Sequence, residues 1–142
     1  MNSAEQFAFK VADSRLGEAS YRPMLSLELV YRGRSVIVDG LLDTGAMVNV
    51  LPYHLGLALG AVWEQQQTSI QLAGNLARFE ARALVVSATV GRFAPVRQAF
   101  AWTRTSDVPL LLGQVNFFQN FDVCFFRSEL VFEVRPKGIM PN

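Results

Sequence analysis

The stretch that decides the fold is Leu41-Leu42-Asp43-Thr44-Gly45-Ala46, in which a carboxylate and a turn directly follow an apolar run. A charged group at the end of a buried strand is costly unless hydrogen bonds satisfy it. The threonine and glycine that follow supply a hydroxyl, backbone N–H groups and a tight turn. The stretch therefore predicts a carboxylate that points into a cleft and is held there by donors of its own loop.

Apolar and polar residues alternate on both sides of this stretch, which is typical of half-buried strands. Turn signals such as Arg32-Gly33 separate the runs, so hairpins are expected. Short helices are predicted at 53–59, between Pro52 and Gly60, and at 114–121. The strand-like runs cover residues 7–11, 25–29, 35–42, 47–51, 67–72, 77–90, 93–103, 108–112, 123–126 and 130–134. Many short strands and few helices predict an all-β fold, a barrel-like or sandwich domain.

The composition of the chain excludes several classes of function. A chain of 142 residues fits one domain, and a net charge of +1 lacks the basic footprint of a nucleic-acid-binding protein. With 51% hydrophobic and 18% charged residues, the chain is not disordered, and part of its apolar surface is expected to face a second subunit. One cysteine and one histidine leave no intrachain disulfide or Cys-rich zinc site. The sequence has no apolar stretch of membrane-spanning length and no signal-peptide pattern, so a cytoplasmic protein is expected.

Three motifs in a fixed order carry a resemblance to a known family. Asp43-Thr44-Gly45-Ala46, followed by Asn49-Val50-Leu51, resembles the active-site segment of the retroviral-type (retropepsin-like) aspartic proteases. Ala73-Gly74-Asn75 stands where that family has its flap, and Leu111-Leu112-Gly113 stands where it has a second apolar motif before a short helix. The resemblance implies a closed β-barrel or sandwich of the acid-protease type with a flap hairpin. Residues 1–142 would form one domain, with an N-terminal extension (1–20), a core (21–135) and a tail (136–142).

The resemblance also implies an activity. The family needs two D-T-G loops and this chain has one, so a homodimer is expected, with one Asp43 from each subunit. The two carboxylates would share a proton and activate a water that cleaves a peptide or protein substrate. Thr44, Gly45 and Ala46 would support the loop and the contact between subunits, and Ala73, Gly74 and Asn75 would form the flap tip. No metal, organic cofactor or nucleic acid is implied.

The sequence departs from the family beside the site. Retroviral enzymes often have acidic residues after D-T-G-A and an Arg after the second glycine, whereas this chain has Met47, Val48 and Gln114. The loss of both partners of an ion pair predicts an apolar cleft and a preference for hydrophobic residues around the cut. The expected substrate-binding residues are Met47, Val48, Val50, Leu72, Leu76, Pro109 and Leu110.

Other interpretations of the same residues stay open. Asp43 could be a turn aspartate, and the chain a catalytically silent peptide-binding or dimerisation module of the same fold. An unrelated, monomeric β-barrel that binds a ligand is a third hypothesis. His54 is expected to be a solvated helix residue, and Cys124 a buried small hydrophobe.

Overall fold

The computed structural model describes residues 3–11 and 14–138. Within them the strands are β1 (Glu5–Ala8), β2 (Lys10–Val11), β3 (Tyr21–Arg22), β4 (Met24–Tyr31), β5 (Arg34–Leu42), β6 (Asn49–Leu51), β7 (Ala81–Val90), β8 (Val96–Thr103), β9 (Leu111–Leu112), β10 (Phe121–Phe126) and β11 (Val131–Pro136). The helices are α1 (Tyr53–Ala58) and α2 (Phe117–Asn120), with short 3₁₀ segments at Ser14–Ser20, Trp63–Gln65, Gly74–Leu76 and Arg127–Glu129.

Six strands close into a barrel in the order β4-β5-β9-β6-β8-β7. The β4–β5 hairpin turns at Arg32 and Gly33, whose φ angles of 47° and 83° are those that a two-residue hairpin loop requires. The strand β9 pairs in parallel with β5 and antiparallel with β6. This order confirms the predicted all-β barrel with short helices, and it brings the segment after β9 beside the end of β5.

The barrel core is built from alternate residues of the long strands. Leu25, Leu27 and Leu29 on β4 are almost completely buried, as the period-two pattern predicts. Trp63 and Trp102 meet at a ring-centroid distance of 5.2 Å and are both buried. The short helix α1 closes over these two rings, whose burial contributes much of the apolar area that the domain removes from water.

A second sheet gathers strands from both halves of the chain. It has the order β1-β11-β10, with Phe7 stacked on Phe132 at 5.6 Å and Phe9 edge-on to the same ring at 5.9 Å. Part of the predicted N-terminal extension is thus paired with the C-terminal strand. The predicted tail begins inside β11, since Pro136 pairs with Phe121, and residues 139–142 lie outside the described part of the chain.

Several elements differ from the sequence prediction. Residues 67–72 are not a continuous strand and pair with β7 only at the Ser69–Arg82 bridge. The helix expected over 114–121 is confined to α2, because the preceding residues run alongside the Asp43 turn instead. The prediction that Cys124 is buried is wrong: it is exposed on β10, a strand with one neighbour in the described sheet. None of the helices in the described residues has the length and apolar character to cross a membrane.

Candidate active site

The carboxylate of Asp43 follows the last residue of β5, at the start of a tight turn. The Asp43 N–H donates to Leu112 O at 3.0 Å, and Asp43 O accepts from Ala46 N–H at 3.1 Å. One carboxylate oxygen, Asp43 Oδ1, accepts a 2.9 Å hydrogen bond from Gly45 N–H. Asp43 is half-buried, whereas Thr44 and Gly45 are exposed. The turn therefore exposes the carboxylate while its own backbone holds one of the two oxygens.

The segment that follows β9 runs along this turn and is hydrogen-bonded to it. Gln114 N–H donates to Ala46 O at 2.9 Å, and Val115 N–H donates to Met47 O at 2.8 Å. The Gln114 side-chain amide donates to Thr44 O at 2.8 Å. These bonds bring the first and third motifs of the sequence together and fix the position of the Asp43 turn against the barrel.

Gly113 and a buried pair of amides lie behind this contact. A Cβ at Gly113 would lie 2.6 Å from Val48 O and 2.8 Å from Ala46 O, so only glycine fits. Gly113 N–H donates to Asn49 Oδ1 at 2.8 Å, and Asn49 Nδ2 donates to Gln98 Oε1 at 2.9 Å. Both amide side chains are completely buried.

The buried pair of Asn49 and Gln98 was not predicted from the sequence. The available signal was an amide inside an apolar strand-like run, since a buried amide must find hydrogen-bond partners. The sequence alone does not say which backbone groups those partners are, because Asn49 and Gly113 are 64 residues apart.

An apolar cavity of about 200 Å³ lies beside the Asp43 turn. Gly45 and Ala46 are the parts of the turn that reach it, and Gln71 is the polar side chain among its lining residues. An extended peptide laid along the turn would meet mainly aliphatic side chains here. The lining residues are Gly45, Ala46, Met47, Val48, Val50, Gln71, Leu72, Ala73, Leu76 and Leu111.

The structure brings most of the expected substrate-binding residues to this cavity and separates two of them from it. Pro109 is exposed and is not part of the wall, and Leu110 lies in the barrel core with 4% of its surface exposed. Leu110 is turned inward because it packs over Gly40, where a Cβ would lie 2.6 Å from Leu110 Cδ2. The expected residues that do line the cavity are Met47, Val48, Val50, Leu72 and Leu76.

The segment expected to form the flap contributes to the wall through Ala73, while Gly74 and Asn75 begin an exposed 3₁₀ turn. Gly74 has a φ of 61°, a conformation that favours glycine. The Gln71 side-chain amide donates to Leu72 O at 3.0 Å and to Ala77 O at 3.2 Å. The turn is therefore closed by the Gln71 side chain and by its own backbone, with Ala77 N–H donating to Gly74 O at 3.1 Å, rather than by a strand ladder.

The histidine and the remaining acidic residues do not form a second cluster of functional groups in the described part of the chain. His54 is exposed at the start of α1, and its backbone N–H donates to Ser106 Oγ at 3.1 Å. Residues 3–11 and 14–138 contain no group of three or more His, Cys, Asp or Glu side chains that could hold a metal ion.

Comparison with solved structures identifies the fold. The chain is similar to the crystal structure of a retropepsin-like aspartic protease from Rickettsia conorii, with a TM-score of 0.60 over 96% of this chain and 94% of that chain. Sequence identity between the two is 12%. No family model matches the sequence, and no curated protein matches it. The chain has the retropepsin-like fold, and the resemblance inferred from its three motifs is confirmed for the fold.

Proposed function

We propose that this protein is an aspartic endopeptidase that acts as a homodimer. The observation that carries the proposal is the Asp43 turn: a D-T-G-A loop at the end of a barrel strand, with one carboxylate oxygen held by Gly45 N–H, beside an apolar cavity. The retropepsin-like fold supports the same conclusion, because it is the fold of a protease with 12% sequence identity to this chain.

The proposed site is complete only in a dimer. One chain supplies one Asp43, and a two-fold axis beside the turn would bring a second Asp43 to face it. Exposed apolar residues support such an interface: Val115 next to the turn is 39% exposed, and Phe125 and Phe126 on β10 are 39% and 36% exposed. Thr44, exposed at the tip of the turn, would contact the partner's loop.

The proposed reaction uses the two carboxylates in opposite protonation states. Two carboxylates at close range cannot both ionise, so the pair holds one proton. The ionised Asp43 removes a proton from a water molecule, and the water oxygen attacks the carbonyl carbon of the peptide bond. The protonated Asp43 donates its proton to the carbonyl oxygen, which gives a neutral gem-diol. The carboxyl that took the proton of the water then protonates the nitrogen, the other carboxylate takes back one hydroxyl proton, and the C–N bond breaks to release the amine and the acid. We expect an acidic optimum, with some activity remaining near pH 6.

The first test compares the protein with an Asp43→Asn variant. Both are incubated with a diverse peptide mixture from pH 4 to pH 7, cleavage products are identified by mass spectrometry, and light scattering establishes the oligomeric state. Asp39→Asn is the matched control, because Asp39 lies on β5 in an exposed ion pair with Lys10. We expect cleavage by the protein and by the control, and none by Asp43→Asn.

Two results would contradict the proposal. Cleavage that survives in Asp43→Asn would exclude the carboxylate mechanism. A dimer that binds peptides without Asp43-dependent cleavage would identify the chain as a peptide-binding module of this fold.

A further inference from the structure

Gln114 contacts the Asp43 turn at two points. Its backbone N–H donates to Ala46 O at 2.9 Å, and its side-chain amide donates to Thr44 O at 2.8 Å. The side chain is exposed, so the burial of apolar surface does not account for its conformation. An exposed glutamine normally keeps its rotamer freedom and bonds to water, so ordering this one has an entropic cost that the contact must offset.

The hydrogen bond from Gln114 to Thr44 O is linked to the Asp43 carboxylate through one rigid peptide group. Thr44 C=O and Gly45 N–H belong to the same peptide group, which is planar and does not rotate about its C–N bond. Gln114 holds the carbonyl end of this peptide, and the N–H end donates to Asp43 Oδ1 at 2.9 Å. A rotation of the peptide plane that releases one bond therefore disturbs the other.

From this chain of contacts we infer that Gln114 is a positioning residue for the Asp43 carboxylate, acting through the Thr44–Gly45 peptide. The inference rests on the proposed function for its effect on catalysis, but the contact itself can be tested without it. By fixing the direction of Gly45 N–H, Gln114 keeps one carboxylate oxygen in place and the other free for water. Because its amide is neutral, this support does not weaken with salt as an exposed ion pair would.

The test replaces the hydrogen-bond donor and keeps the shape of the side chain. Gln114→Met retains a similar length but cannot donate, and Gln114→Lys restores a donor. Gln66→Met is the matched control, because the Gln66 side-chain amide also makes an exposed bond to a backbone oxygen, Val62 O, at 3.1 Å, and Gln66 does not line the cavity.

Two readouts are measured for each variant at a concentration where light scattering shows the same oligomeric state as the parent protein. The first is kcat and KM for a peptide substrate. Loss of one hydrogen bond of ordinary strength predicts that kcat of Gln114→Met falls about fivefold with KM unchanged. The second is hydrogen exchange of the Gly45 amide by NMR, which should become faster in Gln114→Met and recover in Gln114→Lys. Thermal stability should fall no further in Gln114→Met than in Gln66→Met, because each variant loses one exposed hydrogen bond.

The outcomes separate this inference from the proposed function. If the parent protein shows no Asp43-dependent cleavage, the proposed function fails, and Gly45 exchange still decides whether Gln114 holds the peptide. If the parent cleaves and Gln114→Met matches it in kcat and in Gly45 exchange, the inference is overturned. A loss in Gln114→Met that Gln114→Lys does not recover, or that Gln66→Met shares, would also overturn it.

Discussion

Gly113 lies against two carbonyl oxygens of the Asp43 loop, Val48 O and Ala46 O. The hydrogen bond of the next residue depends on this close approach of the two segments, since Gln114 N–H donates to Ala46 O at 2.9 Å. At this position the absence of a side chain allows two segments of backbone to come into contact. Both neighbours are backbone atoms, which cannot move aside as the end of a flexible side chain can.

Gly113→Ala should therefore push the β9 segment away from the Asp43 turn. We expect a loss of about 2 kcal/mol in the free energy of unfolding, within the usual cost of overpacking, together with loss of cleavage. Urea denaturation followed by tryptophan fluorescence measures the first effect. Gly138→Ala is the control, because a Cβ there meets nothing within 4 Å and stability should not change. Equal stability of the two variants would show that the loop accommodates the methyl group.

Met47 is the most exposed of the large apolar residues on the cavity wall. Because the other lining residues are mainly aliphatic, we expect the protein to prefer substrates with hydrophobic residues on either side of the cleaved bond. Met47→Asp should add a preference for Lys or Arg there, because it places a carboxylate against the substrate. Cleavage-site profiling by mass spectrometry checks both statements, with Leu57→Asp on exposed α1 as the control. A strong preference of the parent protein for charged residues would contradict the apolar cleft.

The conformation of the Asp43 turn could be predicted from the sequence, whereas the orientation of some single side chains could not, for a physical reason. The D-T-G-A turn was predictable because its own residues provide its donors. The orientations of Leu110, just before β9, and of Cys124, on β10, were not predictable, because whether a residue in or beside a strand faces the core depends on its partners. Leu110 packs over Gly40, seventy positions earlier, and Cys124 lies on a strand with one neighbour in the described sheet.

At the scale of elements, β6 and β8 are joined by side chains as well as by their backbones. Asn49 on β6 donates to Gln98 Oε1 and to Ala99 O on β8, and it accepts from Gly113 N–H after β9. Three elements therefore meet at one buried amide. Such a network is stabilising only while every member is paired, so it fixes the register of these strands as well as adding to stability.

Asn49→Asp should make stability depend on pH. The second oxygen of the introduced carboxyl would face Gln98 Oε1 and Ala99 O, so the folded state favours the protonated form. The introduced carboxyl therefore has a higher pKa in the folded state than in the unfolded chain. The loss in the free energy of unfolding is small at acid pH and grows as the pH rises above about 4, the pKa of the unfolded chain. Near pH 7 we expect a loss of about 3 kcal/mol. Thermal denaturation of variant and parent from pH 3 to pH 7 measures the difference, and a constant difference would contradict the prediction.

In the segment before β7, the sequence pattern predicts a strand that the backbone does not form. Residues 67–72 were expected to form a strand from their sequence, and the structure does bury them in alternation near their end, with Ile70 half-buried and Leu72 buried. The backbone is nevertheless paired with β7 only at Ser69–Arg82. Alternation shows which side chains are covered: Leu72 lines the cavity, and Ile70 packs against the buried cluster beside it. The backbone makes only two hydrogen bonds with β7, from Ile70 N–H to Ala81 O and from Ala83 N–H to Thr68 O, and does not continue as a ladder.

At the scale of the whole molecule, the sheet β1-β11-β10 ends in an open edge. The strand β10 has β11 as its one neighbour in the described sheet, and an unpaired strand edge with exposed aromatic residues is suited to pairing with another chain. Phe125 and Phe126 are on this strand. The proposed dimer therefore has a candidate surface that extends a sheet already present in each subunit.

Phe126→Glu should weaken the proposed dimer if β10 forms its interface. Two like charges would then meet across the two-fold axis, and we expect the dissociation constant to rise at least tenfold, equivalent to about 1.4 kcal/mol. Sedimentation over a range of concentrations measures this. Ile37→Glu is the control, because Ile37 is 76% exposed on the barrel and outside this sheet. A parent protein that stays monomeric at every concentration would refute the dimer, and an unchanged dissociation constant would move the interface elsewhere.

The pairing of β1 with β11 has a consequence for how the chain acquires its structure. Glu5 lies opposite Val134, so the two partners are separated by all the strands of the barrel. A contact between such distant positions can form only after β11 has been synthesised, and closing so long a loop is slow. Until then Phe7 and Phe9 lack the Phe132 ring on which they pack in the finished molecule. During translation, β1 is thus, of the described strands, the one that waits longest for its partner, and chaperones that shield exposed aromatic residues have that interval in which to act.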